Sequence, residues 1–243
     1  MNKIETGLNP GMSGGFTNFG LKLKTLRRMN KILFSVLLAL LLVTSVSRAQ
    51  TTVKYDLSQL LTDHKLEVLS RDTAKLLTDG QYKGVSYSGI AWIKGANFST
   101  GSIDVDIRGR DVYQQNFLGI AFHGNDTITY DAIYFRPFNF QTPDTLRHKH
   151  MVQYISEPAY PWERLRKDHP LVYENTITPA PMPANWLHAH IVVTGDSIAV
   201  YVNHSTIPSL KVKKLNDRNA GGIGLWDMYY AGDFANLVVT NSN

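Results

Sequence analysis

The chain has 243 residues, a formal net charge of +5 and no cysteine, which excludes disulfides and thiolate metal sites and leaves stability to packing alone. The positive charge belongs to the first 49 residues: 18 of the 25 basic and 19 of the 20 acidic side chains lie beyond them, a net charge of −1. A nucleic-acid partner, which needs a basic surface to displace counterions, thereby loses its global support.

Taken in chain order, residues 1–28 are polar and glycine-containing and read as a disordered extension ahead of a second start at Met29. From there MNKILFSVLLALLLVTSVSRAQ supplies a cation at Lys31, an apolar run from Ile32 to Val46, and the small residues Ser47 and Ala49. This is the pattern of a cleavable signal peptide with Gln50 as first mature residue; a membrane span needs ~20 apolar residues. The expected organisation is a leader over 1–49 and a single domain over 50–243, exported to the periplasm or beyond the cell and not attached to a membrane after cleavage. A domain of that size is long enough to bury one core.

Beyond Gln50 the apolar residues recur with period 2, the signature of half-buried strands. Val85, Tyr87, Ile90 and Trp92 come first, then Ile103, Val105 and Ile107, then Leu118, Ile120 and Phe122. Strands are expected near 85–93, 101–109, 117–123, 130–136, 151–155, 187–194, 197–203, 222–227 and 234–240. Turn residues punctuate them at Asp79-Gly80, Gly124-Asn125-Asp126, Gly195-Asp196 and Gly221-Gly222. Only Leu57–Leu61 and Leu66–Leu77 have helical spacing, and Gln141–Arg147 and Pro179–Pro183 read as long loops. The fold class is all-β: a two-sheet antiparallel β-sandwich of jelly-roll type.

The combination GIAWIKG, FSTGSIDVDIRGRD, FLGIAFHG, YDAIYFRPFNF, HMVQYIS with YPWERLR, and GGIGLWDMYYAGDFANLVVT resembles the concanavalin A-like lectin/glucanase superfamily, which also holds laminin G-like modules. Within it the chain is similar to exported bacterial domains near the 3-keto-disaccharide hydrolases, which are related to family 16 glycosidases. The resemblance spans about residues 90–240 and implies a sugar or glycoside ligand on the concave sheet face. A fold shared by lectins and hydrolases leaves the chemistry open.

Strand parity sharpens the site. With Ile103, Val105 and Ile107 inward, Asp104, Asp106 and Arg108 point outward; His123 shares an outer face with Gly119 and Ala121, and Tyr134 and Arg136 with Ala132. If these strands are neighbours, the groups converge on one groove, joined by Gln153 and Trp226. The candidate catalytic residues are Asp104, Asp106 and His123, and the candidate substrate-binding residues are Arg108, Tyr134, Arg136, Gln153 and Trp226. The competing reading is a solvated face with cross-strand ion pairs. On the groove reading Arg136→Ala abolishes binding and leaves the melting temperature nearly unchanged.

Catalysis by the glycosidase route lacks a residue: the family pattern Glu-x-Asp-x-x-Glu meets Asp104-Val105-Asp106-Ile107-Arg108 here, without the distal Glu. The keto-sugar resemblance implies a different route, in which His123 or an Asp serves as the base that starts elimination. His148 with His150, and His188 with His190, are spaced to chelate a metal but read more simply as ordinary surface or groove histidines. Trp162, Glu163, Arg164 and Arg166 stand in a long loop that either rims the groove or pins itself. Asn97, Asn125 and Asn203 begin glycosylation sequons that a bacterial-looking signal leaves silent. No phosphate loop, dinucleotide fingerprint or nucleophile elbow is present, so no cofactor is expected.

Overall fold

The computed structural model describes residues 50–69 and 74–242, together with 7, 27, 28, 30 and 31. The chain divides into Met1–Arg48 and Ala49–Asn243, and the account below concerns the second unit. The expected signal segment, apart from residues 30 and 31, lies outside the described residues.

Thirteen strands are present among the described residues: β1 (Gln50–Tyr55), β2 (Leu66–Leu69), β3 (Lys75–Asp79), β4 (Tyr82–Ile93), β5 (Gly101–Arg108), β6 (Asn116–Gly124), β7 (Tyr130–Phe135), β8 (Val152–Glu157), β9 (Glu174–Asn175), β10 (Leu187–Thr194), β11 (Ser197–Val202), β12 (Leu210–Lys213) and β13 (Gly222–Ser242). Two short helices, α1 (Leu57–Thr62) and α2 (Trp162–Asp168), join them. Asp56 caps α1 by accepting from the Gln59 amide at 3.0 Å.

Pairing is antiparallel throughout. One layer runs β12-β11-β10-β5 onto the second half of β13, and the other runs β9-β8-β7-β6 onto its first half. Strands β4 and β13 belong to both layers. Their pairing breaks between Asp227 and Gly232, opposite Tyr87 and Gly89, where Gly89 and Tyr229 take positive φ of 117° and 73°. Such a bulge bends both strands together and carries them from one sheet to the other. Residues 222–227 and 234–240, expected as two strands, are therefore one strand folded over a corner.

Between the layers lies one apolar core in which Ile103, Val105, Ile107, Leu118, Ile120, Phe122, Ile133, Phe135, Leu225 and Phe234 are all buried. Each such side chain contributes about 1.5–3 kcal/mol by leaving water. The alternation read from the sequence is borne out in β5, the strand expected near 187–194 is β10 with the same one-sided burial, and β6 is buried on both faces.

The helical spacing at Leu66–Leu77 gives no helix among the described residues. Leu66–Leu69 and Lys75–Asp79 pair with opposite ends of β4, because a short apolar run satisfies either period and the unpaired edge of β4 decides between them. Helix α2 was not foreseen, nor were β1, β9 and β12. No helix among the described residues is long and apolar enough to cross a membrane.

Candidate functional site

The outer face of the β6–β9 layer carries a pocket of about 680 Å³. Its floor follows one row of cross-strand partners: Trp226 opposite Gly119, Gly119 opposite Tyr134, Tyr134 opposite Gln153, and Gln153 opposite Glu174. A Cβ on Gly119 would come within 2.0 Å of the Ile133 carbonyl and 2.7 Å of Tyr134 Cα. The glycine leaves its place in the row bare, and the rings of Trp226 and Tyr134 meet across it with centroids 4.8 Å apart. Trp226 Nε1 donates to the Tyr130 hydroxyl at 3.2 Å, so its polar edge is satisfied.

Arg136 lies beside this pair, only 4% exposed. Its guanidinium donates to the Tyr134 hydroxyl at 2.6 Å, to Gln153 Oε1 and to the His150 carbonyl at 3.3 Å, and stands 4.8 Å from the Tyr134 ring centre. Burial drives the Tyr134 hydroxyl up to about 12 despite that guanidinium, so it stays protonated and can donate to Gln153.

Behind them Glu174 gathers two guanidinium groups and an imidazole. Arg166 grips it with two hydrogen bonds at 3.2 and 2.8 Å, His150 Nδ1 stands 2.7 Å away and Arg136 3.6 Å away. Burial works against ionisation of Glu174, but the Arg166 hydrogen bonds and the surrounding charges hold its carboxyl below the usual range.

The walls come from connecting segments. Pro161, Trp162, Glu163 and Arg166 bring α2 to one side, Phe138 and Arg147 close another, and Met228 and Tyr229 project from the bulge that turns β13. The irregularity that makes the sandwich corner thus also supplies part of the rim. Trp162 and Tyr229 are 41% and 66% exposed. Two carboxyl groups, Glu157 and Glu163, line the same space. Burial, helped by the charge of Glu163, pushes the Glu157 carboxyl up.

The predicted site residues do not converge. Tyr134, Arg136 and Trp226 line the pocket, with Gln153 immediately beneath them. Asp104, Asp106 and Arg108 lie on the outer surface of the opposite layer, because β5 pairs with β10 and the second half of β13 rather than with β6. The assumption that successive strands are neighbours fails here. Arg108 binds Asp233 at 2.8 Å and Asp79 at 2.6 Å.

His123 is displaced for a second reason. Between Gly222 and Gly224 the β13 register slips against β6, and His123 takes φ 50°. This bulge reverses the parity at the strand end and turns the ring inward. There Nδ1 meets Asp131 Oδ2 at 3.1 Å, Nε2 meets the Ser99 carbonyl at 2.7 Å, and the ring stacks on Phe98. A histidine so enclosed is a structural group, away from the pocket.

The two histidine pairs also separate. His150 joins Glu174, as above. His188 and His190 alternate with the β5 carboxylates: His190 Nδ1 with Asp104 at 2.7 Å, His188 Nδ1 with Asp106 at 2.8 Å and Nε2 with Asp104 at 3.4 Å. No group of three or more ligating side chains placed to hold a metal exists among the described residues. Hydrogen bonds donated to the Asp104 and Asp106 carboxylates raise His188 to about 9. A folded value above the unfolded ~6.5 contributes stability that is complete below ~6.5 and is lost as pH rises through about 9. In an NMR titration His188 is expected to change charge near 9, and in Asp106→Asn nearer neutrality; a wild-type midpoint near 6.5 would refute the pairing.

Several residues in or behind the pocket were not placed there by the sequence reading: Phe117, Phe138, Arg147, His150 and Glu157 line it, and Glu174 lies behind. The signal that pointed to the α2 wall was YPWERLR, whose ring and arginines were noted without a place to put them.

No family model and no curated protein matches the chain. Among solved structures it is similar to the carbohydrate-binding module CBM66 from Bacillus subtilis, at 14% identity over 70% of this chain and 92% of that one, with a TM-score of 0.47. A Bacillus subtilis protein of unknown function with a galectin-like fold aligns at 10% identity over 70% and 86%, TM-score 0.46. Domain 4 of the extracellular arabinanase AbnA from Geobacillus stearothermophilus, in complex with arabinotriose, aligns at 15% identity over 79% and 82%, TM-score 0.44.

Proposed function

We propose that the chain is an exported carbohydrate-binding protein of the concanavalin A-like kind, holding a sugar in the pocket on the β6–β9 layer. The observation that carries this reading is the pocket floor: two aromatic rings meet over a glycine beside a buried, hydrogen-bonded guanidinium group. A sugar offers an apolar ring face and hydroxyls in fixed directions, and such a floor answers both with stacking and rigid polar groups. The pocket is open enough at its rim for Trp162 and Tyr229 to extend the stacking surface.

The exposed rim gives a test that spares the fold. In a glycan array followed by calorimetry, Trp162→Ala is expected to weaken the best ligand by about ten-fold or more, in line with the ~0.5–1.5 kcal/mol of an aromatic contact plus its buried area. The melting temperature should stay close to wild type, since Trp162 stands at the surface. Unchanged affinity in this variant and in Tyr229→Ala would place the ligand elsewhere.

One observation favours a second reading, glycoside cleavage. Glu157 lines the pocket with its carboxyl pushed up beside Glu163, and two carboxyl groups in one pocket, one of them pushed up, are the groups that acid and base roles require. Glu157 would donate its proton to the departing glycosidic oxygen while Glu163 activates water. Glu157→Gln should then lose turnover and keep binding; absence of turnover in the wild type on any bound glycan leaves the binding reading alone.

A further inference from the structure

The charges of the pocket are sorted by position. At the Arg136 end, Arg136 and Arg166 share the single carboxylate of Glu174. His150 reaches the same carboxylate, and burial holds its pKa below the ordinary value in spite of that contact. Arg147 stands next to them over the Tyr113 ring, 4.3 Å from its centre. Its hydrogen-bond partners are neutral: Asn139 Oδ1 at 3.1 Å and the Phe138 carbonyl at 2.7 Å. The nearby Asp144 carboxylate is engaged by the backbone amides of Leu146 and Arg147 at 2.9 and 3.1 Å. Among the described residues Arg136 and Arg166 form ion pairs with Glu174, whereas Arg147 forms none and meets the Asp144 charge only at longer range.

Of the carboxyl groups that also line the pocket, Glu163 lies on α2 with Arg166 and its charge reaches Tyr134, whereas Glu157 stands apart. Neither Glu157 nor Glu163 forms an ion pair among the described residues. Glu157 is paired in register with Tyr130, the opposite end of β7 from Arg136, about 20 Å along the strand at ~3.3 Å per residue. One end of the pocket thus holds three guanidinium groups, of which Arg147 stands without an ion pair among the described residues. A guanidinium fork in such surroundings pairs most strongly with a planar carboxylate.

We infer that the pocket takes a sugar bearing a carboxylate, an acidic glycan of the uronic-acid class, with the acid seated among Arg136, Arg147 and Arg166. The inference rests on the sugar-binding reading above and adds the class of sugar. Its acid group supplies the ion-pair partner that Arg147 lacks, while the ring lies toward Trp226 and Tyr134.

The test is a calorimetric titration of the purified protein with matched pairs of oligosaccharides: oligogalacturonides beside galacto-oligosaccharides, oligoglucuronides beside gluco-oligosaccharides, and sulfated derivatives of the neutral members. The acidic member of at least one pair is expected to bind about ten-fold or more tightly than its neutral partner, with a margin that shrinks as salt is added. In Arg147→Met, a change at a half-buried rim position, the margin should fall to about three-fold or less. Wild-type titrations need no variant, so misfolding of Arg147→Met cannot decide the outcome.

Equal binding of acidic and neutral partners overturns the charge inference and leaves the sugar pocket standing. Binding of sulfated sugars without uronates overturns the choice of carboxylate. Binding of no sugar of any kind overturns both readings.

Discussion

Arg136→Met is expected to abolish ligand binding and also to lower the melting temperature by roughly 6–12 °C. The stability part follows from burial. Arg136 is 4% exposed, and its guanidinium holds the Tyr134 hydroxyl, Gln153 Oε1, the His150 carbonyl and one side of Glu174. Removing it strands those acceptors, a change that costs about 3 kcal/mol or more when a buried charged group loses its partner. For a domain of this size each kcal/mol shifts the midpoint by about 2–4 °C. The groove reading expects a nearly unchanged melting temperature on the premise of a solvated ion pair worth about 0–1 kcal/mol. That premise is corrected here: the arginine is the polar centre of a buried network as well as part of the pocket wall. Thermal unfolding followed by circular dichroism checks the claim, and a shift under about 2 °C would remove Arg136 from the structural role.

The second large effect is expected at Asp131. Its carboxylate is fully buried and receives His123 Nδ1 at 3.1 Å, the Tyr154 hydroxyl at 2.8 Å, Asn216 Nδ2 at 2.6 Å and Arg218 at 2.9 Å. These contacts tie β6, β7 and β8 to the segment after β12, joining the two layers. Asp131→Ala leaves several buried donors unpaired and should cost about 3–5 kcal/mol. Burial pushes the Asp131 carboxyl up, but the His123 hydrogen bond, the Arg218 charge and the Tyr154 hydroxyl outweigh it and hold the carboxyl below its ordinary value. The sign follows: a depressed folded value contributes stability that is present above the unfolded ~3.9 and is lost as pH falls through the folded value. Wild-type stability should therefore drop in the acid range below about pH 4. Asp131→Asn should be less stable at neutral pH and show a shallower loss in acid. Parallel acid limbs in the two proteins would show that another carboxylate governs the transition.

Strand identity was legible wherever burial is one-sided. In β5 the alternation of Ile103, Val105 and Ile107 with polar residues between them matches the observed burial residue by residue, and in β10 Leu187, Ala189, Ile191 and Val193 are buried with His188, His190 and Val192 more exposed between them, because period 2 is the direct trace of a half-buried strand. Where burial is two-sided the trace disappears. In β7 all six residues are buried, Tyr134 beneath the pocket and Ile133 in the core, so the stretch YDAIYFRPFNF shows its crowd of rings without showing which layer each faces.

By itself the sequence determined the all-β class, the inward residues of the regular strands and the membership of Tyr134, Arg136 and Gln153 in one row or its immediate surroundings. Those depend on local periodicity and on pairing between strands adjacent in the chain, β6 with β7 and β7 with β8. Only the tertiary structure decided that β5 lies in the other layer, that His123 turns inward at a bulge, and that His150, Arg166 and Glu174 close behind Arg136. Each of these depends on a pairing or register slip between segments far apart in sequence, such as β13 with β5 and β6. A one-residue slip reverses every side chain beyond it, and nothing in the local pattern of apolar residues records where the slip occurs.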